Sequence, residues 1–142
     1  MIGWLKQNAD VAQVGYWGGH LKEDGVGGCG DYGYDIDYVA GWCFCISRET
    51  YTKHGLFDQD NLKFAYCEDA DFSMRLLESG KKLYALHVPL VYHHQNKTIQ
   101  TVKDEGEVDV RETFDHNHQY IRRRWRQYLE TGRVFARSHC ND

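Results

Sequence analysis

Glu68, Asp69 and Asp71 put three carboxylates within four residues at the head of an amphipathic stretch. A carboxylate within hydrogen-bond reach of a hydroxyl can take its proton as the oxygen attacks an electrophile. The same residues also suit a plain capping role, because the positive end of a helix macrodipole stabilises negative charge in the first turn. Residue type alone leaves both readings open. By the ideal helical repeat Asp71 lies about 200° around from Asp69, so the two do not face one ligand. His93 and His94 close an apolar segment, and on a strand adjacent side chains point to opposite faces, so one of them faces a cleft. Cys43, Cys45 and Cys67 lack the second pair of a closed zinc site and read as buried small hydrophobes.

The elements that must position these groups follow an α/β pattern in one domain, residues 1–142. Ile2 and Leu5 stand at helical spacing beside Trp4, and Val11, Ala12 and Val14 form a short strand before Gly15. From Gly15 to Gly33 lie eight of the fourteen glycines, which predicts a long loop or a hairpin with irregular arms over residues 16–37. Residues 38–47, YVAGWCFCIS, are apolar on both faces and read as a fully buried central strand. Ser47 caps a short helix through His54, with Gly55 as its terminator. The spacing of Phe72 with Leu76 and Met74 with Leu77 predicts a helix over 69–79, stopped by Gly80. Residues 82–94 return as a strand whose Pro89 marks an edge or an end to pairing. Residues 95–110 are polar and read as mobile. Phe114, Ile121, Trp125, Tyr128 and Leu129 share the face of an amphipathic C-terminal helix over 111–130.

Bulk properties narrow the function classes. The net charge of −4 gives the whole chain no electrostatic case for nucleic acid. Five cysteines, with Cys43 and Cys45 two apart in a predicted strand and unable to bridge easily, suit a reduced setting better than a disulfide framework. No apolar run reaches membrane-spanning length and no signal-peptide layout opens the chain, so it reads as soluble and cytoplasmic.

The order Gly55-x-Phe57-Asp58, Glu68-Asp69-x-Asp71, Arg75-Leu76, Gly80, Pro89 and then His93 resembles the C-terminal half of inverting family-2 glycosyltransferases of the GT-A fold. The likeness covers residues 38–94 and extends more weakly to Trp125. It implies a partial GT-A, Rossmann-like domain with central buried strands and flanking helices, acting on a nucleotide-sugar donor and a carbohydrate or lipid-linked acceptor. The Asp of the family's E-D pair is the catalytic base, which maps onto Asp69. Glu68 then contacts the acceptor or positions the loop, and Asp71 supports the pair from behind or caps the helix. A divalent metal, Mn or Mg, is expected in the complete enzyme, with His93 or His94 as a ligand. Gly41 and Trp42 resemble the position where substrate passes over the backbone, with Trp42 available for sugar stacking or for the core.

Asp35-Ile36-Asp37 spells the D-x-D of such enzymes but runs straight into the predicted strand at Tyr38, so it reads as a solvated lead-in. The family's nucleotide-binding first half has no counterpart, and residues 1–15 resemble the helix and strand that follow the true D-x-D. The expectation is therefore the acceptor-side portion of a catalytic domain. Two alternatives compete with it: a non-catalytic carbohydrate-binding or regulatory fragment, and a structural module whose acidic helix start is only a cap. Arg122, Arg123, Arg124 and Arg126 form either a solvated helix face or a peripheral contact with an anionic membrane at its inner face. An exposed sheet edge where the missing half would pack makes a homodimer a further expectation.

Overall fold

The computed structural model describes residues 1–22, 24–25, 30–87, 91–94, 97–106 and 108–131 of the 142-residue chain. The architecture is mixed α/β, with two three-stranded sheets and the helices packed around them. Helix α1 (Ile2–Gln7) leads into β1 (Val11–Gly15), which is buried along its whole length at the centre of the first sheet. There β1 pairs antiparallel with β5 (Phe44–Ile46) and parallel with β6 (Lys82–Ala85). The second sheet orders β3 (Gly30–Asp31), β2 (Gly18–Gly19) and β4 (Tyr38–Val39), all antiparallel. Gly18 is required in it, because a Cβ there would stand 2.5 Å from the Tyr38 carbonyl oxygen. Gly33 and Ala85 exchange backbone hydrogen bonds of 2.8 and 2.9 Å and so join the two sheets.

The glycine-rich segment thus contributes the short strands β2 and β3; Gly27 and Gly28 lie outside the described residues. The single central strand predicted over 38–47 is instead broken in two. Tyr38 and Val39 belong to one sheet, Phe44 to Ile46 form a half-buried edge of the other, and the chain turns at Gly41 and Trp42 between them. The break has a cause: the Gly41 N–H donates to Asp69 Oδ2 at 2.9 Å, which withdraws it from any ladder. Cys43 consequently sits outside the strand that holds Cys45. With Cys67, both are free, half-buried thiols rather than core residues.

Helix α2 (Arg48–His54) forms as its caps predict, with Ser47 Oγ accepting the Thr50 N–H at 3.0 Å and Gly55 ending it at φ 70°. Helix α3 (Glu68–Glu78) falls within a residue of its predicted span and is followed by Gly80 at φ 78°. It is buried on two sides. Ala70 and Met74 pack with Leu62, Tyr120, Ile121 and Trp125, while Phe72 and Leu76 pack with Ala12, Val39 and Leu83. Packing on both sides fixes the body of the helix from Ala70 onward.

Strand β6 stops at Ala85, far short of the predicted end at His94, so His93 and His94 sit on irregular backbone; Pro89 lies outside the described residues. The polar stretch after them is not featureless, because Lys97–Glu105 form helix α4, although none of its residues is buried. The predicted C-terminal helix is two: α5 (Val110–Arg124) and α6 (Arg126–Thr131), separated at Trp125. Phe114 is only half-buried, and the buried face of α5 is Thr113, Asn117, Tyr120 and Ile121. No helix among the described residues is long and apolar enough to cross a membrane.

Candidate active site

The approach to α3 is built from backbone that side chains ordinarily avoid. Ala65, Tyr66 and Cys67 take φ of 58°, 70° and 70°, three consecutive non-glycine residues in the left-handed region. Such conformations cost on the order of 1–3 kcal/mol each and persist only where surrounding bonds dictate them. Those bonds come from Asn117 on α5. Its Oδ1 accepts the Lys63 N–H at 2.8 Å, and its Nδ2 donates to the carbonyls of Lys63, Ala65 and Tyr66 at 3.0, 2.8 and 3.0 Å.

The turn delivers the chain to Glu68 and Asp69 at the first turn of α3, whose N-cap, Cys67, supplies no side-chain hydrogen bond. Asp69 reaches back across the cleft. Its Oδ2 accepts the Gly41 N–H at 2.9 Å and its Oδ1 accepts the N–H of Ala70 at 2.8 Å. Burial pushes its carboxyl above the usual range, against the pull of these backbone bonds. Glu68 is also raised, first by burial and then by the neighbouring Asp69 charge, and its buried Oε2 has no hydrogen-bond partner. Two carboxyls at one helix start, both displaced upward in a cleft, make this a candidate site for proton transfer. The Cys67 thiol is pushed up to about 12 by burial and then by Asp69, so it stays protonated and is neither a nucleophile nor a thiolate ligand at neutral pH.

The opposite wall combines Gly41, Trp42, His93 and His94, and with Glu68, Asp69 and Lys97 they line a cleft of about 410 Å³. Residues up to 56 positions apart in sequence therefore meet there. The His93 ring stacks on Trp42 at 4.7 Å and 7°, and Tyr16 lies 6.5 Å away on a near-parallel plane. The indole is half-buried rather than in the core, and it lines the cleft beside the His93 imidazole. Because the histidines are not on a strand, the alternation argument fails and both line the cleft. Among the described residues no three His, Cys, Asp or Glu side chains are grouped to hold a metal ion.

Asp71 is not in the cleft. It is fully buried, accepting from Arg75 Nε at 2.9 Å and from the Trp125 indole Nε1 at 3.0 Å, with Arg124 Nε at 3.4 Å. Arg75 also donates to the carbonyls of His54 and Leu56, so this network ties α3 to α2 and to α5. Asp37 corrects the reading of Asp35-Ile36-Asp37 as solvated: Ile36 and Asp37 are fully buried, and Asp37 Oδ2 accepts the Leu21 N–H at 2.8 Å beside His20. Asp35 alone is exposed. Asn117, Tyr66 and Lys97 are the site residues that pattern reading misses. An asparagine among the apolar positions of the α5 face was the one visible signal, since a buried amide must find partners.

No family model matches this chain, and no curated protein or solved structure matches it either.

Proposed function

We propose that the cleft is the acceptor and catalytic-base site of an inverting glycosyltransferase domain that uses a nucleotide-sugar donor. The observation that carries this reading is Asp69. It is a carboxylate at a helix start, raised by burial, held by the Gly41 N–H, and open to a cleft that also contains Glu68 and two imidazoles. In the reaction, an acceptor hydroxyl oxygen bonds to the anomeric carbon as the bond from that carbon to the nucleoside diphosphate breaks, and Asp69 takes the hydroxyl proton. Glu68, with its unpartnered buried oxygen, is placed to accept a hydrogen bond from a second acceptor hydroxyl. Manganese or magnesium belongs to this reading only as an ion carried by the donor diphosphate, which would supply the ligands beyond one imidazole of His93 or His94.

The test is a thermal-shift titration with nucleoside diphosphates and manganese. Binding to the native state alone stabilises it by about 2.7 kcal/mol at a free ligand concentration one hundred times Kd. An upward shift that needs both components and is lost when His93 and His94 are replaced by alanine supports the donor-using reading. No shift with any nucleoside diphosphate retires the donor-using reading and leaves a carbohydrate-binding or regulatory module.

A lipid-linked acceptor at the inner face of an anionic membrane would meet the arginine surface of α5 and α6. Arg124 is turned toward Asp71 and stacks its guanidinium over Trp125 at 4.8 Å, so the outward set is Arg122, Arg123 and Arg126. Neutralising those three is expected to weaken binding to vesicles containing anionic phospholipid by at least roughly tenfold. Unchanged co-sedimentation removes the membrane contact.

A further inference from the structure

Resting on the Asp69 assignment, we propose that Asn117 is a positioning residue of the site, clamping the turn of Ala65, Tyr66 and Cys67 so that Asp69 and Glu68 stand where the cleft needs them. The hydrogen bonds of the Asn117 side chain go to backbone, not to the carboxylates or imidazoles of the cleft. It is fully buried, 0% exposed, and its amide spends every contact on the backbone of residues 63–66. Two N–H hydrogens serve three carbonyls, a geometry only a carboxamide can supply from that helix position.

The surrounding contacts divide the labour. Helix α5 grips the preceding loop at several points: Tyr120 Oη donates to Asp58 Oδ2 at 2.7 Å, His116 Nε2 meets the Asn61 carbonyl at 3.0 Å, and Phe114 meets the Tyr66 ring edge-on at 5.4 Å. These hold the loop against the helix. Among the described residues of α5, only Asn117 bonds carbonyls of left-handed residues, those of Ala65 and Tyr66; the Cys67 carbonyl accepts the Asp71 N–H of α3. Without those bonds Ala65 and Tyr66 relax toward negative φ, and each relaxation rotates every following atom. Helix α3 has no side-chain N-cap of its own to resist, so its first turn takes its place from the turn before it. The far end of the chain of contacts is the Asp69 bond to the Gly41 N–H, and that bond reports whether the carboxylate is in position.

The experiment follows the Gly41 amide by nitrogen-15 NMR hydrogen exchange in the folded full chain, comparing wild type, Asn117→Ala and Ile121→Val. The last is a mild core loss on the same helix that leaves the turn alone. Asn117→Ala is expected to lower Gly41 protection roughly tenfold, the scale of one ordinary hydrogen bond, and to move its amide shift, with the β1 amides unchanged. Ile121→Val is expected to leave Gly41 as in wild type. A folded Asn117→Ala with a native Gly41 overturns the proposal. If Asn117→Ala does not fold, the added change Ala65→Gly supplies a residue that adopts positive φ unaided. A double variant no more stable than the single one also overturns the clamp. Because this readout needs no turnover, a protein without transferase activity leaves it standing, and an unmoved Gly41 leaves the transferase reading intact. In an active preparation Asn117→Ala lowers kcat with donor KM unchanged, the split expected when only the base is displaced.

Discussion

In a preparation that transfers sugar, Asp69→Asn is expected to cut the rate by roughly a hundred- to ten-thousand-fold, the ordinary contribution of a positioned general base. The substitution is less innocent for the fold than a helix-cap argument alone implies. Asn is about as good an N-cap as Asp, which from sequence predicts a near-neutral change. Here each carboxylate oxygen accepts a different backbone N–H, from Gly41 and from Ala70. An amide satisfies one and turns its NH₂ toward the other, at a cost of about 1–3 kcal/mol for the unsatisfied buried donor. Turnover must therefore be measured at a temperature where a urea titration shows the variant fully folded. Transfer retained under those conditions sinks the base assignment, and an unchanged urea midpoint would mean that the carboxylate does not hold Gly41. The pH profile carries the same information with a definite sign. A base works deprotonated, and burial raises both Asp69 and Glu68, so activity falls on the acid side at a pH above the ordinary carboxylate range. That limb belongs to the pair rather than to either residue alone.

The largest loss of stability is expected at Asp71, away from the chemistry. Asp71→Ala leaves the Arg75 guanidinium and the Trp125 indole without their shared acceptor inside the protein. Removing one partner of a fully buried pair typically costs about 3–5 kcal/mol. Arg75 is 19% exposed and keeps its bonds to the His54 and Leu56 carbonyls, which puts the expected loss at the lower end of that range, about 3 kcal/mol. Trp125→Phe, which keeps most of the packing and removes one donor, should cost about 1 kcal/mol. Chemical denaturation of the two variants checks both values. An Asp71→Ala loss no larger than that of Trp125→Phe would show that the network contributes little and that packing alone holds α5 against α3.

Local chemistry was legible from the residues because its causes lie within a few positions. Ser47 and Gly55 bracket α2, Gly80 follows the end of α3, and the apolar spacing of Phe72, Met74, Leu76 and Leu77 marks a helix buried on more than one side. The acidic start of α3 was equally plain. Reading residues 38–47 as one strand failed because hydrophobicity measures burial and says nothing about which N–H joins a ladder. A carboxylate 28 residues away took the Gly41 N–H out of the sheet. The apolar run 82–94 misled for the same reason: its first four residues form β6 on β1, Leu86 adds one bond to the Gly15 carbonyl, and His93 and His94 lie on irregular backbone.

What the sequence determined by itself is the acidic pair, the helix that presents it, and the caps that start and stop its neighbours, all set by contacts between residues about four apart. Tertiary structure alone decided that Asp71 is a buried anchor while Asp69 opens to a cleft, and that Trp42 stacks on His93. It also decided that Asn117 holds a left-handed turn more than fifty residues before it. Those outcomes depend on which distant groups are brought within hydrogen-bond distance once the core has packed, and no periodicity along the chain encodes that.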